Sequence, residues 1–352
     1  MGSQYDERGG SAGAQPALTV TPKIATLMDE QKRHINRLKA GASYFGCGGY
    51  LSRIGTLNRL ALYNTLGFER LNRKAEDIKK FFYSSEQNWQ QTFYIMLLRT
   101  MGGMDNKEAF TTLAHRVAYA AILRERMTPQ NIEAMLIGAS GLLDLYPHDE
   151  YILNLKRNFS YLATKYSIEK MEPEEWRLTK IYPNNHPILR LSQIATLLTH
   201  TSDIMDRMLS CCSGEDVHRL FSSETLPYWA DHYTPASTSQ RTVAKRIGRT
   251  KTDLLAINLV AQLQYAYGEY TDNDKLRNKA ISLLEDLPAE SNSIIAQWKS
   301  YGQLAQTAFD SQALLQLSFE YCRHQRCEEC PVGRQILSKA EQERVKNQEN
   351  NQ

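Results

Sequence analysis

The sequence predicts an irregular all-α protein that forms a single domain of many helices. Apolar residues recur at helical spacing along most of the chain. Pro and Gly positions divide it into segments of roughly 10 to 20 residues, the ordinary length of globular helices. Alternating strand patterns of useful length are absent, and no repeat with a fixed period indicates a solenoid.

Three segments carry the clearest helical pattern. Residues 110–122 place apolar side chains on one face, and Asn106 with Glu108 predicts the start of that helix. Residues 189–198 show the same spacing. Residues 254–267 are apolar nearly all round, which indicates a buried central helix, and Gly268 predicts its end. Breaks are predicted at Gly102–Gly103 and at several prolines, including Pro227 and Pro235.

The two ends of the chain differ in composition from its centre. Residues 1–22 are rich in Gly, Ser, Ala and Gln, which predicts a disordered leader. Residues 23–338 form the predicted helical domain. Residues 339–352 are polar all round and predict a C-terminal tail that is either a fraying helix or disordered.

Composition excludes some classes of protein. The chain has 352 residues, 42% of them hydrophobic and 23% charged, which is a globular balance. A net charge of +3 is too small to demand a polyanionic partner. No stretch approaches the roughly 18 apolar residues of a membrane span, and the first residues lack the apolar core of a signal peptide. We therefore expect a cytoplasmic protein that is not embedded in a membrane.

The C-terminal cysteines have the spacing of metal ligands. Cys322, Cys327 and Cys330 follow the pattern C-x4-C-x2-C-P, and a C-x2-C pair lets one short turn direct two thiolates to a common point. In a chain without an export signal, this spacing favours thiolate chemistry over disulfides. Zinc and an iron–sulfur cluster both suit four thiolates. The alternative is three free thiols in a helical C-terminus.

A fourth ligand must come from elsewhere in the chain. The candidates are Cys47, Cys211, Cys212 and, locally, His324. Glycines on both sides of Cys47 let the backbone turn tightly around a sulfur. Cys211 and Cys212 end an apolar helical stretch, a context that suits buried and inert thiols.

A basic run predicts a possible phosphate contact. Arg241, Lys245 and Arg249 are four residues apart and would lie on one face of a helix. No nucleic-acid motif or interleaved aromatic residue accompanies them. A solvated helix face is the alternative.

Polar residues in apolar or turn-like surroundings form a second candidate site. Asn185, Arg190 and Gln193 surround a stiff Pro-Asn-Asn-His-Pro loop, and an Arg beside a helix N-terminus can hold an anion. Trp229 and His232 belong to a dense aromatic patch with one titratable imidazole. Internal capping and buried hydrogen bonds are the alternative for all of them. Asp310, Ser311 and Gln312 read more simply as a helix N-cap. No nucleophile–base pair, Gly-rich phosphate loop or HExxH motif is found.

Several segments, taken in order, resemble a known bacterial family. They are Phe68-Glu-Arg-Leu-Asn-Arg-Lys74, Asn88-Trp89, residues 132–143, residues 183–193, Tyr228-Trp-Ala-Asp-His-Tyr233, residues 287–292, residues 310–317 and residues 321–333. The chain resembles the C-terminal helical part of the family of domains of unknown function numbered 2851, from about residue 45 to residue 338. Its members also carry a cysteine ahead of the Glu-Arg-Leu motif, so the resemblance favours Cys47 as the fourth ligand. Typical members look longer, with an N-terminal region of mixed α/β character that a short polar leader replaces here.

Three functions are compatible with these observations. The first is a non-catalytic helical module that binds a partner, either a protein or a nucleic acid. In it a metal at Cys47, Cys322, Cys327 and Cys330 would join the N- and C-terminal segments and contribute folding free energy. The second is a nucleic-acid-binding or -processing protein with an iron–sulfur cluster. The third is an enzyme whose site lies around Arg190, Gln193 and His232, which would require these residues to share a pocket.

Overall fold

The computed structural model describes residues 33, 36, 47–146, 149–201, 203–239, 242–243 and 245–349. The predicted leader, residues 1–22, lies outside these ranges. The chain divides into two compact units, a smaller one formed by Met1–Arg53 with Phe319–Gln352 and a larger one formed by Ile54–Ser318. Both units are helical in their described parts, which confirms the all-α prediction. None of the described helices is long and apolar enough to cross a membrane.

The described α-helices follow one another in chain order with short connections. They are α1 (Gly48–Leu51), α2 (Thr56–Ser84), α3 (Trp89–Arg116), α4 (Tyr119–Glu125), α5 (Pro129–Ala139), α6 (Glu150–Tyr166), α7 (Pro187–His200), α8 (Ile204–Ser210), α9 (Gly214–Phe221), α10 (Arg249–Leu255), α11 (Ala261–Tyr270), α12 (Asp274–Asp286), α13 (Ser293–Ser300), α14 (Ala308–Gln316) and α15 (Pro331–Glu349). The 3-10 turns are Leu142–Leu145, Pro173–Glu175, Pro183–Asn185 and Pro227–Ala230. Two segments, Ala256–Val260 and Leu317–Cys322, are π-helical.

The core of the larger unit is built from helices that are apolar on one or more faces. The long helix α2 packs against α11 and α14, while α5 packs between α6 and α7. In α7, every residue from Pro187 to Leu198 is buried, so this helix is central. One element of the larger unit was not predicted. The strands β1 (His232–Thr234) and β2 (Ser237–Thr238) form a short antiparallel hairpin, too short to give an alternating pattern.

The helix predicted over residues 110–122 is in fact two helices. α3 ends at Arg116, and α4 begins at Tyr119. The side chain of Gln91 bridges the break, because it donates to the carbonyl of Ala114 (3.1 Å) and accepts from the Tyr119 N–H (2.8 Å). Backbone groups left without a helical partner are thereby satisfied.

Two predicted helix ends and one predicted cap also change. Asn106 lies inside α3, where its amide pairs with the backbone N–H and carbonyl of Arg177 at 2.8 and 3.0 Å. Helix α11 passes through Gly268 and ends at Tyr270. A Cβ on Gly268 would lie 2.9 Å from the Arg277 side chain, so the glycine allows close packing of α12. The break at Gly102–Gly103 is a kink within α3, because Gly103 has a φ of 62°.

Helix α14 begins one turn earlier than predicted. Thr307 is its N-cap and accepts a hydrogen bond from the Asp310 N–H at 3.2 Å, while the Asp310 carboxylate accepts from the Thr307 N–H at 3.3 Å. This is a capping box, so Asp310 occupies the third helical position and not the cap.

The smaller unit has few described apolar residues. Its buried side chains are Leu51, Cys330, Val332 and Ile336. The terminal helix α15 begins at Pro331, a residue well suited to the first helical position. The predicted polar tail from residue 339 continues this helix as far as Glu349, with the Lys339 ammonium 5.2 Å from the centre of the Tyr50 ring.

Candidate functional site

The smaller unit contains all four cysteines predicted as metal ligands. Cys47 immediately precedes α1, and its carbonyl accepts from the Leu51 N–H at 3.0 Å. Cys322 ends the π-helical segment. Cys330 immediately precedes α15, where its carbonyl accepts from the Arg334 N–H at 2.9 Å. Helix starts and ends therefore fix the backbone at three of the four positions.

Cys327 is positioned by a close approach to the terminal helix. A Cβ on Gly333 would lie 1.8 Å from the carbonyl oxygen of Cys327. Only glycine lets the turn that carries Cys327 pack directly on the first turn of α15. This explains the glycine in the Cys-Pro-Val-Gly segment, 330–333.

The four thiols are close enough to affect one another electrostatically. Burial, followed by the charges of Cys330 and Cys327, raises the pKa of Cys47 to about 12. Burial, followed by the charges of the other three cysteines, raises the pKa of the Cys322 thiol well above its usual range. The thiols are therefore protonated in this structure, as expected for several thiol groups that share a small volume without a cation.

Thiol chemistry fits the predicted metals, but the side chains do not form a ready ligand set. All six cysteines are thiols. Among the described residues, no group of three or more His, Cys, Asp or Glu side chains is arranged to hold a metal ion. A metal would have to replace thiol protons as it binds. The remaining candidates lie apart from this group. Cys211 and Cys212 belong to the larger unit, and His324 is exposed.

The predicted polar residues at the start of α7 form one connected network. The buried Arg190 side chain donates to Gln193 Oε1 at 2.8 Å and to Asn185 Oδ1 at 2.6 Å. The amide of Gln193 in turn donates to the backbone carbonyl of Lys245 at 3.1 Å. The network therefore fixes the plane of the Arg190 guanidinium and ties α7 to the basic segment.

A cavity of about 580 Å³ opens beside this network. Its lining includes five cationic side chains, those of Arg190, Lys245, Arg246, Arg249 and Lys251. No Asp or Glu is among the described residues of the lining. We call this cavity the cationic pocket. It unites Asn185 and Arg190 of one predicted site with Lys245 and Arg249 of the other.

The three inner cations of the pocket are held by neutral groups. Lys245 Nζ donates to the Ala230 carbonyl at 3.0 Å and lies 4.1 Å from the centre of the Tyr233 ring. Lys251 Nζ donates to the Thr100 carbonyl at 2.9 Å. Burial lowers the pKa of Arg190 to about 10. Burial and, after it, the charge of Arg190 lower the pKa of Lys251 to about 7.

The two outer cations differ from the inner three. The side chains of Arg246 and Arg249 are 60% and 58% exposed, and they pair with Glu224 and Glu215 respectively. These ion pairs lie at the solvent-exposed rim, where they contribute little to stability.

The helical stripe predicted for the basic run does not form. Arg241 lies outside the described residues. Lys245 is in an irregular segment and only 6% exposed, and α10 begins at Arg249 after the extended Gly248. Lys245 and Arg249 meet because the chain folds around the pocket. Lys251 and Arg246 were missed as site residues because the four-residue spacing passes over them.

Trp229 and His232 lie outside the described lining of the cationic pocket. Trp229 is fully buried and donates from Nε1 to Glu133 at 2.6 Å. The His232 ring stacks on Tyr228 at 4.2 Å, and Tyr228 stacks on Tyr151 at 3.9 Å. The structure therefore does not bring Arg190 and His232 into one pocket.

Glu133 is a polar residue that sequence reasoning missed. Its carboxylate also accepts from the Tyr151 hydroxyl, and burial raises its pKa above the usual range. The available signal was a lone acidic residue within the apolar segment 132–139, which is buried throughout. A lone buried acid of this kind requires hydrogen-bond donors from other elements.

These features define a helical protein with a group of thiols in its smaller unit and a cationic pocket in its larger one. The chain belongs to the family described as "Protein of unknown function (DUF2851)", which matches residues 15–293. The match contains Cys47 and the whole cationic pocket, whereas Cys322, Cys327 and Cys330 lie beyond its end. No curated protein and no solved structure matches the chain.

Proposed function

We propose that this protein is a helical binding module whose smaller unit is stabilised by a metal ion or an iron–sulfur cluster. The ligands would be Cys47, Cys322, Cys327 and Cys330. The observation that carries this proposal is the presence of four mutually interacting thiols in a unit with few other buried side chains.

The size of the smaller unit gives the physical reason for a metal. Its described parts are residues 33, 36, 47–53 and 319–349. Units of this size rarely bury enough apolar surface to fold alone, and metals are a common remedy. A metal that binds the folded arrangement but not the separated segments contributes its binding free energy to folding. It would hold the segment of Cys47 to that of Cys322, Cys327 and Cys330.

The donor set is compatible with either of two metals. Four thiolates hold tetrahedral zinc in structural sites, and they also hold iron–sulfur clusters. The two differ in colour, because zinc has no d–d absorption and a cluster absorbs visible light. An absorbance spectrum with elemental analysis of anaerobically purified protein therefore tests the proposal directly. Stoichiometric zinc in a colourless sample, or iron with sulfide in a brown one, is the expected result.

A pair of cysteine variants makes the test specific. Cys322→Ser removes one proposed ligand and should lower the metal content and the melting temperature of the purified protein. Cys212→Ser is the matched control, because Cys212 is an exposed thiol in the larger unit. The proposal fails if the wild-type protein contains neither zinc nor iron. It also fails if the control variant loses as much metal as the ligand variant.

The other two functions have less support from the geometry. Nucleic-acid binding by the basic run would use an exposed stripe, but Lys245 is buried and Arg246 and Arg249 are paired with acidic residues. An enzyme site around Arg190, Gln193 and His232 would need a shared pocket, and of these three only Arg190 is among the described lining residues of the cationic pocket. The pocket itself points to a binding role.

A further inference from the structure

We propose that the cationic pocket binds a small organic diphosphate, a ligand of nucleotide size with at least two negative charges. The pocket lies entirely within the larger unit, so the inference holds or fails independently of the metal. It rests on the buried cations of the pocket, their remaining hydrogen-bond donors and the volume that they enclose.

Charge is the first argument. Arg190 and Lys245 are each 6% exposed, and Lys251 is buried beside Arg190. In the described structure their partners are carbonyl and amide oxygens, which carry only partial negative charge. Buried charges in proteins are normally paired, because an uncompensated charge is costly to remove from water. A bound anion would supply the missing negative charge.

The geometry of the donors is the second argument. A guanidinium has five N–H donors, and Arg190 uses one for Gln193 and one for Asn185. An ammonium has three donors, and Lys251 directs two of them to the carbonyls of Thr100 and Met101. Each inner cation therefore keeps N–H donors for a ligand, while its other bonds hold it in place. Donors fixed in this way bind an anion without further ordering of the side chain.

Volume and lining give the class of ligand. A cavity of about 580 Å³ exceeds the needs of a single phosphate and lies in the usual range for small-molecule sites. Five cations suit more than one negative charge, and Arg forks match phosphate oxygens. Tyr233 and Leu254 add apolar surface for an organic part. The backbone of a duplex could not reach cations as buried as Arg190 and Lys245.

The test is calorimetric titration of the full chain with inorganic pyrophosphate, adenosine diphosphate and inorganic phosphate. We expect saturable binding at one site for the two diphosphates, weaker binding of phosphate, and a loss of affinity as salt is added. An unphosphorylated single-stranded oligonucleotide is the competing probe. No saturable diphosphate binding at low salt would overturn the proposal. Tighter binding of the oligonucleotide than of either diphosphate would overturn it too.

Matched arginine variants locate the site. Arg246 and Arg207 are both 60% exposed and both paired with an acidic residue, but only Arg246 lines the pocket. Arg246→Gln should weaken pyrophosphate binding about tenfold, the effect of one charge-assisted hydrogen bond, and Arg207→Gln should leave it unchanged. Equal weakening by both variants would mean a general charge effect and would overturn the assignment.

A buried variant completes the test. Arg190→Gln should abolish pyrophosphate binding, and circular dichroism with thermal melting establishes whether the variant is folded. Should it fail to fold, the Arg246 and Arg207 pair still decides the question, since both positions are exposed. A folded Arg190→Gln variant that binds pyrophosphate as tightly as the wild type would contradict the proposal.

Discussion

The ammonium nitrogen of Lys251 lies 2.9 Å from the carbonyl oxygen of Thr100 and 3.4 Å from that of Met101. It thereby joins the first turn of α10 to α3 just before the kink at Gly103. A cation suits the carbonyl end of a helical segment, where the backbone dipoles leave partial negative charge. One side chain thus both supports the kink and lines the cationic pocket.

Lys251 should make stability depend on pH near neutrality. Burial and the charge of Arg190 lower its pKa from 10.5 to about 7, so the unfolded chain binds more protons than the folded one between these values. The free energy of unfolding therefore rises with pH across this window. Lys251→Met removes the contribution, so the wild type should gain stability relative to the variant as pH increases from about 7 to about 10. Urea denaturation at several pH values measures the difference.

The control for this prediction is the same substitution at an exposed lysine. Lys80 has a side chain that is 77% exposed, and it pairs with Asp77 on the surface of α2. Lys80→Met should leave the pH profile close to that of the wild type. A stability difference between wild type and Lys251→Met that stays constant over the window would contradict the assigned pKa.

The kink in α3 should depend on the glycine itself. Gly103 has a φ of 62° and a ψ of −154°, and a Cβ there would have no atom within 4 Å. The cost of Gly103→Ala is thus backbone strain alone, and we expect a loss of about 1 to 3 kcal/mol in the free energy of unfolding. Gly55→Ala is the control, because Gly55 has equally open space but a φ of −65°. Similar losses for both variants in chemical denaturation would be evidence against strain at Gly103.

The sequence predicted local features better than tertiary ones. Helical periodicity identified the fold class, and the Gly102–Gly103 pair marked the kink in α3. The break after Arg116 was missed because its partner is Gln91, 23 residues from Ala114 in the chain. A side chain that satisfies backbone groups across such a distance leaves no trace in the local pattern.

The candidate site shows the same limit. Asn185, Arg190 and Gln193 were predicted together, since a short loop and one helix turn hold them. Their meeting with Lys245 depends on a hydrogen bond over 52 residues and could not be read from spacing. Assigning Lys245 to a helix was wrong because Gly248, extended at its φ and ψ, delays the start of α10 to Arg249.

Glu133 should oppose folding at neutral pH. Burial raises the pKa of its carboxyl, although hydrogen bonds from Tyr151 and Trp229 act in the opposite direction. A raised folded-state pKa contributes stability that is present below the unfolded value, near 4.5, and lost as pH rises through the folded value. Glu133→Gln keeps an acceptor for the Trp229 N–H and removes the titration. The variant should therefore be more stable than the wild type at pH 7, by about 1 kcal/mol or more.

The pH dependence separates this effect from a change in packing. The advantage of Glu133→Gln should shrink as the pH is lowered and vanish below about pH 4, where the unfolded carboxyl is also protonated. Glu76→Gln is the control, since the Glu76 side chain is 65% exposed and pairs with Lys79. Thermal melting of the three proteins between acidic and neutral pH gives the comparison. A Glu133→Gln variant less stable than the wild type at pH 7 would show that the carboxylate is well compensated.

The smaller unit should be sensitive to one methyl group at Gly333. A Cβ there would lie 1.8 Å from the Cys327 carbonyl oxygen, a backbone atom that cannot move aside without displacing its turn. Gly333→Ala should therefore cost about 1 to 3 kcal/mol locally and speed hydrogen exchange of amides at the start of α15. Gly49→Ala, in the same unit, adds a Cβ with no atom within 4 Å and should not speed exchange. If a metal holds Cys327 in this turn, Gly333→Ala should also lower the metal content while Gly49→Ala leaves it intact. Unchanged exchange in Gly333→Ala would mean that Cys327 and α15 are not in contact.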